Sequence, residues 1–205
     1  MKKIFSVLFA AIMMITLTAC GNSSAEKNSA PAEKSVAAEK KSAPAEKPAN
    51  EILVAYFSCT GHTKTAALEV SEILHADTFE IVPAEAYTPA DLDYNVENCR
   101  TNVEQKDSNA RPAIKNKIDA AQYKTIVIAF PIWWGAEPRI IDTFVESCDL
   151  TGKKIVPVCT SGGSDIITAA KNLQTLCKGA TVTEGKRLGI ISKDEVATWL
   201  KSLNL

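Results

Sequence analysis

Residues 52–63 read Ile-Leu-Val-Ala-Tyr-Phe-Ser-Cys-Thr-Gly-His-Thr. A short apolar strand passes directly into hydroxyl side chains and one glycine, and then into a helical pattern. That order of elements builds an anion cradle. Ser58, Thr60 and Thr63 offer hydroxyl donors, Gly61 lets the backbone turn sharply, and a helix beginning near His62 presents unpaired N–H groups with a favourable dipole. No Lys or Arg lies in the loop, and Lys64 falls just beyond it. The natural guest is a phosphate held by neutral donors, although Ser and Thr acting as ordinary helix caps would produce the same local pattern.

Two other phosphate chemistries fit the loop badly. A nucleoside-triphosphate loop requires G-x-x-x-x-G-K-[ST], but Tyr56 stands where its first glycine would be and His62 where its lysine would be. A thiol phosphatase using Cys59 as nucleophile would close the loop with an arginine, and position 65 is Thr.

Further strand patterns lie at 78–82, 125–130, 154–159 and around 181–190, the one at 125–130 apolar enough to be buried on both faces. Pro157 weakens the fourth, because it removes a ladder donor. Helical periodicities lie between the runs: Thr65 to His75, a segment started by Pro138, and Ile166 to Cys177. Ser192-Lys-Asp-Glu195 is a capping box opening a last helix with Val196, Trp199, Leu200 and Leu203 on one face. Alternating βα units predict an α/β fold: a doubly wound, five-stranded parallel sheet with helices on both faces. Residues 83–112 break the rhythm, and a segment of that length reads as a functional cover or a partly helical insertion carrying Tyr87, Tyr94, Arg100, Glu104 and Arg111.

If the first loop binds phosphate, the loops after the third and fourth strands complete the site. Pro131-Ile132-Trp133-Trp134-Gly135 brings two indoles that can stack on a flat aromatic ligand, and one of the two is expected to belong to the core. Thr160-Ser161-Gly162-Gly163-Ser164 lets main-chain N–H groups approach a ligand edge closely. Ser161 is not a hydrolase nucleophile, since G-x-S-x-G is absent and no His follows it.

Together, Tyr-Phe-Ser-x-Thr-Gly-x-Thr, Pro-Ile-Trp-Trp-Gly and Thr-Ser-Gly-Gly-Ser closely resemble the flavodoxin-like FMN-binding domains, across essentially all of 51–205. Asp93-Tyr94, Arg100, Glu104 and Arg111-Pro112 resemble the insertion of a bacterial flavodoxin-like subfamily, in its short-chain form. The resemblance implies strand order 2-1-3-4-5 and an FMN cofactor. Ser58, Cys59, Thr60, Gly61, His62 and Thr63 would form its phosphate loop. Pro131, Ile132, Trp133, Trp134 and Gly135 would flank the isoalloxazine, with Gly135 matching a glycine whose peptide turns over on flavin reduction. Thr160, Ser161, Gly162, Gly163 and Ser164 would meet the pyrimidine edge. The last loop lacks the second aromatic of typical flavodoxins, which leaves Tyr94 or Tyr87 to cover that ring face, or leaves it open to a substrate. Cys59 reads as a small filler, and no catalytic side chain is required.

The N-terminal residues follow another logic. Lys2 and Lys3 precede an apolar run, Ile4 to Ile15, that is shorter than the about 20 residues of a membrane span. Leu17-Thr18-Ala19-Cys20 resembles the lipobox of bacterial lipoproteins. That implies a signal peptide over 1–20, lipidation of Cys20, and an extracytoplasmic protein anchored to a bacterial membrane. Residues 21–50, with Ser-Ala-Pro-Ala-Glu-Lys at 29–34 and again at 42–47, read as a disordered linker. The domain at 51–205 carries 16 basic and 20 acidic residues, a net −4 with no nucleic-acid footprint. Its five cysteines are an odd number, so an oxidising compartment leaves at least one thiol free or paired between chains. With only His62 and His75 and no CxxC, no metal centre is expected.

The expected function is electron transfer through bound FMN at the cell envelope, to a redox partner protein or a small acceptor. An FMN-dependent NAD(P)H:quinone-type oxidoreductase, or a flavin-free binding or structural lipoprotein that keeps the fold, are the alternatives.

Overall fold

The first strand forms where the sequence places it: β1 (Ile52–Tyr56) has four successive buried residues, Leu53–Tyr56. A computed structural model describes residues 50–205; the expected signal peptide, Cys20 and the expected linker up to residue 49 lie outside them. The order continues α1 (His62–Leu74), β2 (Asp77–Glu80), α2 (Arg100–Lys106), β3 (Thr125–Pro131), α3 (Arg139–Glu146) and β4 (Lys154–Thr160). It ends with α4 (Ile167–Leu176), β5 (Thr181–Val182), β6 (Lys186–Arg187) and α5 (Lys193–Ser202). The insertion is partly helical, through the seven-residue α2, and an antiparallel bridge from Pro83 to Ile114 closes its base.

All strand pairs are parallel, in the order β2-β1-β3-β4-β5. Both faces of the sheet are packed. Leu53, Ala55, Phe57, Ile126, Ile128 and Ile155 meet Ile140, Ile141 and Phe144 of α3 and Leu173 of α4. Val54, Tyr56, Val127, Ala129, Val156 and Val158 meet Ala67 and Val70 of α1 and Val196 and Leu200 of α5. Each fully buried Leu, Ile or Phe contributes about 1.5–3 kcal/mol relative to exposure, so two such layers hold the sheet rigidly under its loops.

The fifth sheet position is split. β5 pairs with Lys154–Ile155 and β6 with Val158–Cys159, leaving Thr183–Gly185 between them. Pro157 lies opposite that break. The carbonyls of Lys153, Ile155 and Cys159 accept from Thr181, Thr183 and Leu188 on the fifth position, so the odd residues of β4 point their polar groups that way. The donor that Pro157 lacks would therefore face the gap, and β4 runs through Pro157 with its pairing to β3 intact. Gly185 makes the crossing with φ +78, where an added Cβ would stand 2.7 Å from the Pro157 carbonyl oxygen. Among the described residues no helix is long and apolar enough to cross a membrane.

Candidate functional site

The carboxyl ends of β1, β3 and β4 are neighbours in the sheet, so the loops leaving them meet at one edge. A cleft of about 640 Å³ is walled there by Thr60 and His62, by Pro131, Ile132 and Trp133, and by Thr160, Ser161 and Gly162. Leu188–Ile191, the stretch after β6, closes its other side. A second, apolar cavity of about 320 Å³ shares Thr60, Pro131, Ile132 and Trp133 with it, and adds Cys59, Leu92, Tyr94, Thr101 and Trp134. Both lie within the size range of small-molecule pockets. Ser58, Gly61, Thr63, Gly135, Gly163 and Ser164 do not line these walls; their part is to shape the loops.

In the first loop, the Gly61 amide donates to Ser58 Oγ at 3.1 Å, which folds the chain back before α1. Gly61 itself has φ +90, an angle that disfavours any other residue. No side chain caps α1 and no acidic residue occupies its first turn, so its leading N–H groups and dipole remain for an anion. Thr63 is 2% exposed, and its hydroxyl meets that of Thr160 at 2.7 Å. That bond ties the first loop to the third, so Thr63 serves the site as a strut and not through a free hydroxyl. Cys59 is open to solvent, yet the protein packed around its sulfur pushes the thiol up to about 11, with Arg100 opposing the shift and Glu104 adding to it. A thiol held that high is not a nucleophile near neutral pH, which removes the phosphatase reading on physical grounds. All five thiols of the described residues are free.

The second loop is a tight hairpin. Trp133 and Ala136 exchange backbone hydrogen bonds at 2.9 and 3.0 Å, and the two residues between them, Trp134 and Gly135, have φ of 51 and 79. Positive φ at both central residues is the requirement of a type I′ turn; for a tryptophan it is strained by about 1–3 kcal/mol. The strain separates the indoles. Trp133 packs edge-on against Phe57 and Tyr87, with centroids 5.5 and 5.4 Å apart, while Trp134 is 65% exposed on the rim of the smaller cavity. One indole thus joins the core, as expected. Tyr87 is committed to that aromatic cluster and to Glu104, to which its hydroxyl donates at 2.6 Å. Burial and the Glu104 carboxylate push its pKa far up. Tyr94, also exposed, is the tyrosine that faces the smaller cavity.

Two residues that sequence reasoning missed hold this hairpin in place. Asn102, buried on α2, accepts from Trp134 Nε1 at 2.8 Å and donates to the carbonyls of Tyr94 and Val96 at 3.0 and 2.8 Å. Gln105, one turn later, donates to the carbonyls of Trp133 and Glu137 at 3.0 and 3.1 Å. The spacing of three places both on one face of α2, the one signal that could have suggested a joint role. The insertion is thereby the clamp of the indole loop. Arg100, stacked 3.9 Å over Tyr87 and donating to Glu104 at 2.6 Å, anchors α2 from behind. The third loop is braced by its own serine: Ser161 Oγ donates to the Ser164 carbonyl at 2.7 Å and accepts from the Gly163 amide at 3.0 Å.

Behind the hairpin lies a buried acid. Glu137 is 0% exposed and accepts from Asn172 Nδ2 at 3.0 and 3.2 Å. Burial pushes it up from its ordinary 4.5 to about 7; Asp142 adds to the shift, and its own backbone amide, Asn172 and Arg139 oppose it.

A family model described as flavodoxin matches residues 51–203. No curated protein matches the chain significantly. Among solved structures, a candidate flavoprotein from Bacteroides eggerthii is 40% identical with a TM-score of 0.73, over 77% of this chain and 99% of that one. A second, from Bacteroides uniformis, is 46% identical with a TM-score of 0.71, over 74% and 98%. A Lactobacillus acidophilus flavoprotein solved in complex with FMN is 24% identical with a TM-score of 0.59, over 74% and 99%, a likeness of fold.

Proposed function

The chain belongs to the flavodoxin family, and from that premise we propose that it binds FMN across the three loops and passes electrons through it at the cell envelope. The observation that carries this reading is the meeting of the loops at 58–63, 131–135 and 160–164 around two cavities that share Thr60 and Pro131–Trp133. The residues suit the ligand at both of its ends. Thr60 and the leading amides of α1 at His62 and Thr63 offer a phosphate neutral donors and a favourable dipole, with Ser58 shaping the turn and no acidic residue in the first turn to repel the ligand. The indoles of Trp133 and Trp134 offer apolar faces to a flat ring system, and the Thr160–Ser164 loop offers backbone amides to its polar edge.

When bound, FMN supplies one- or two-electron redox chemistry that no side chain of these loops provides. The protein's part is to bind, orient and shield. Thr63 and Thr160 hold the first and third loops in register, Asn102 and Gln105 fix the indole hairpin, and Leu188–Ile191 walls the far side of the larger cleft. FMN is also the ligand of the Lactobacillus protein that shares the fold.

The lipobox-like Leu17–Cys20 and the low-complexity 21–50 support a lipid-anchored, extracytoplasmic location with the domain held off the membrane by its spacer. The acceptor is then a redox partner protein or a small molecule reachable there. A second reading, an FMN-dependent oxidoreductase, is favoured by the smaller cavity, where the exposed Tyr94 and Trp134 leave an apolar space beside the shared wall. The test is an absorption spectrum of the purified protein with and without added FMN, then anaerobic reduction. Yellow protein, or uptake of one FMN per chain, supports the proposal. Colourless protein that takes up none overturns it. Fast turnover with a nicotinamide donor and a quinone would select the second reading.

A further inference from the structure

Glu137 and Asp142 are both carboxylates by composition, and both are almost fully enclosed, at 0% and 2% exposure. The Glu137 carboxyl accepts hydrogen bonds from Asn172 on α4. Asp142 turns Oδ2 to Arg139 Nη1 at 3.2 Å and to Arg111 Nη1 at 3.6 Å. Its other oxygen, Oδ1, is buried with no partner among the described residues. Glu137 stands just before the N-cap Pro138 and Asp142 is the fourth residue of α3, the two positions whose side chains pack together at the start of a helix. Two adjacent carboxylates would repel across a dry interior and leave Asp142 Oδ1 unpaired. One carboxylic acid beside one carboxylate removes both penalties with a single proton.

We propose that Glu137 and Asp142 share one proton in the folded protein, carried by Glu137 and donated to Asp142 Oδ1, and that this acid–carboxylate pair positions the 131–137 loop for FMN. The mechanical link is short. Gln105 Nε2 bridges the carbonyls of Trp133 and Glu137, so movement at Glu137 is passed to the indole hairpin two residues beyond Gly135. The first half of the proposal concerns the protein alone; the second rests on the FMN reading.

The charged and titratable surroundings are few. Arg139 faces the pair from α3, and Arg111 from the insertion, with Glu146 as its second partner at 2.7 Å. Cys177 at the end of α4 feels the Asp142 charge. Losing the shared proton puts two negative charges against two partly buried guanidinium groups. The sign follows: the folded protein binds the Glu137 proton more tightly than the unfolded chain. Its stabilising contribution is present in full below 4.5 and is lost as pH rises to about 7.

The test compares the protein with Glu137→Gln, which keeps the shape and a donor toward Asp142 but cannot ionise, and with Asp142→Asn. Infrared spectra of both flavin-free proteins come first. The wild type is expected to show a carboxylic-acid C=O band that is absent from Glu137→Gln and fades as pH passes about 7. In Asp142→Asn the fading moves to lower pH, because the neighbouring charge is gone. Urea unfolding of wild type against Glu137→Gln is expected to show the wild type losing ground between 4.5 and about 7. Finally, FMN affinity is titrated from about pH 6 to about pH 8: the wild type should weaken by about tenfold relative to Glu137→Gln. His62, which lines the larger cleft, is common to both proteins and cancels in that ratio. A wild type without the acid band, or with one that Glu137→Gln retains, overturns the shared proton. A band that behaves as expected alongside FMN affinities that run parallel in the two proteins overturns the coupling to the loop. If neither protein takes up FMN, the flavin reading has failed, and the infrared and urea results still decide the proton.

Discussion

A hydroxyl–hydroxyl contact between residues 97 positions apart holds the start of α1 to the end of β4. Replacing Thr63 with Val keeps its shape and leaves the Thr160 hydroxyl without that partner, which should cost about 1–2 kcal/mol. The change reads as a lower urea midpoint at unchanged slope, and an unchanged midpoint would show that the pair adds nothing. Asn102 carries more, since one buried amide satisfies Trp134 and two carbonyls of the insertion. Asn102→Ala is expected to cost about 1–3 kcal/mol and to weaken FMN binding, because nothing then offsets the strained backbone of Trp134. Unaltered FMN affinity in a folded Asn102→Ala protein would mean that the indole's position does not matter to the ligand. Neither role was legible locally. Thr63 reads as a phosphate donor from its loop, and Asn102 is one polar residue in a short helix whose partner lies 32 positions away.

Among the elements, the helices were the easiest to read. The Ser192–Glu195 box forms as its spacing requires, with Ser192 Oγ accepting from the Glu195 amide at 3.3 Å and Glu195 Oε2 accepting from the Ser192 amide at 2.8 Å. The central strands were equally plain, because continuous apolar runs have few other uses in a chain of this length. The fifth strand was not. The pattern around 181–190 passes for one strand, and Glu184-Gly185 marks the break that receives the side of Pro157 lacking a donor. Gly185→Ala adds a Cβ 2.7 Å from the Pro157 carbonyl at φ +78, and is expected to lower stability by about 1–3 kcal/mol. Thermal unfolding measures it, and a melting temperature equal to that of the wild type would refute the close approach. The insertion is the other element whose purpose was hidden. Its length marked it as functional, but the clamp it forms on residues 131–137 depends on contacts that no periodicity encodes.

For the molecule as a whole, the domain and its N-terminal residues pose separate questions. The order β2-β1-β3-β4-β5 is implied by the resemblance of the three loops, whereas the alternating βα units and the two apolar layers follow from patterning that the sequence displays. Burial of Glu137 does not, because an acid beside the start of a helix ordinarily reads as an exposed dipole partner. Anchoring by Cys20 is tested in the full chain: Cys20→Ser should move the protein from the membrane fraction to the soluble one. Equal partitioning of the two proteins would remove the lipid anchor from the proposal. The flavin site is tested most directly by titrating the protein into FMN and, in parallel, into riboflavin, following the loss of flavin fluorescence. A phosphate cradle at the start of α1 predicts saturable binding of one FMN per chain, with riboflavin weaker by at least about tenfold, the equivalent of about one charge-assisted hydrogen bond. Equal affinity for the two flavins would contradict the cradle, and no binding of either would contradict the site.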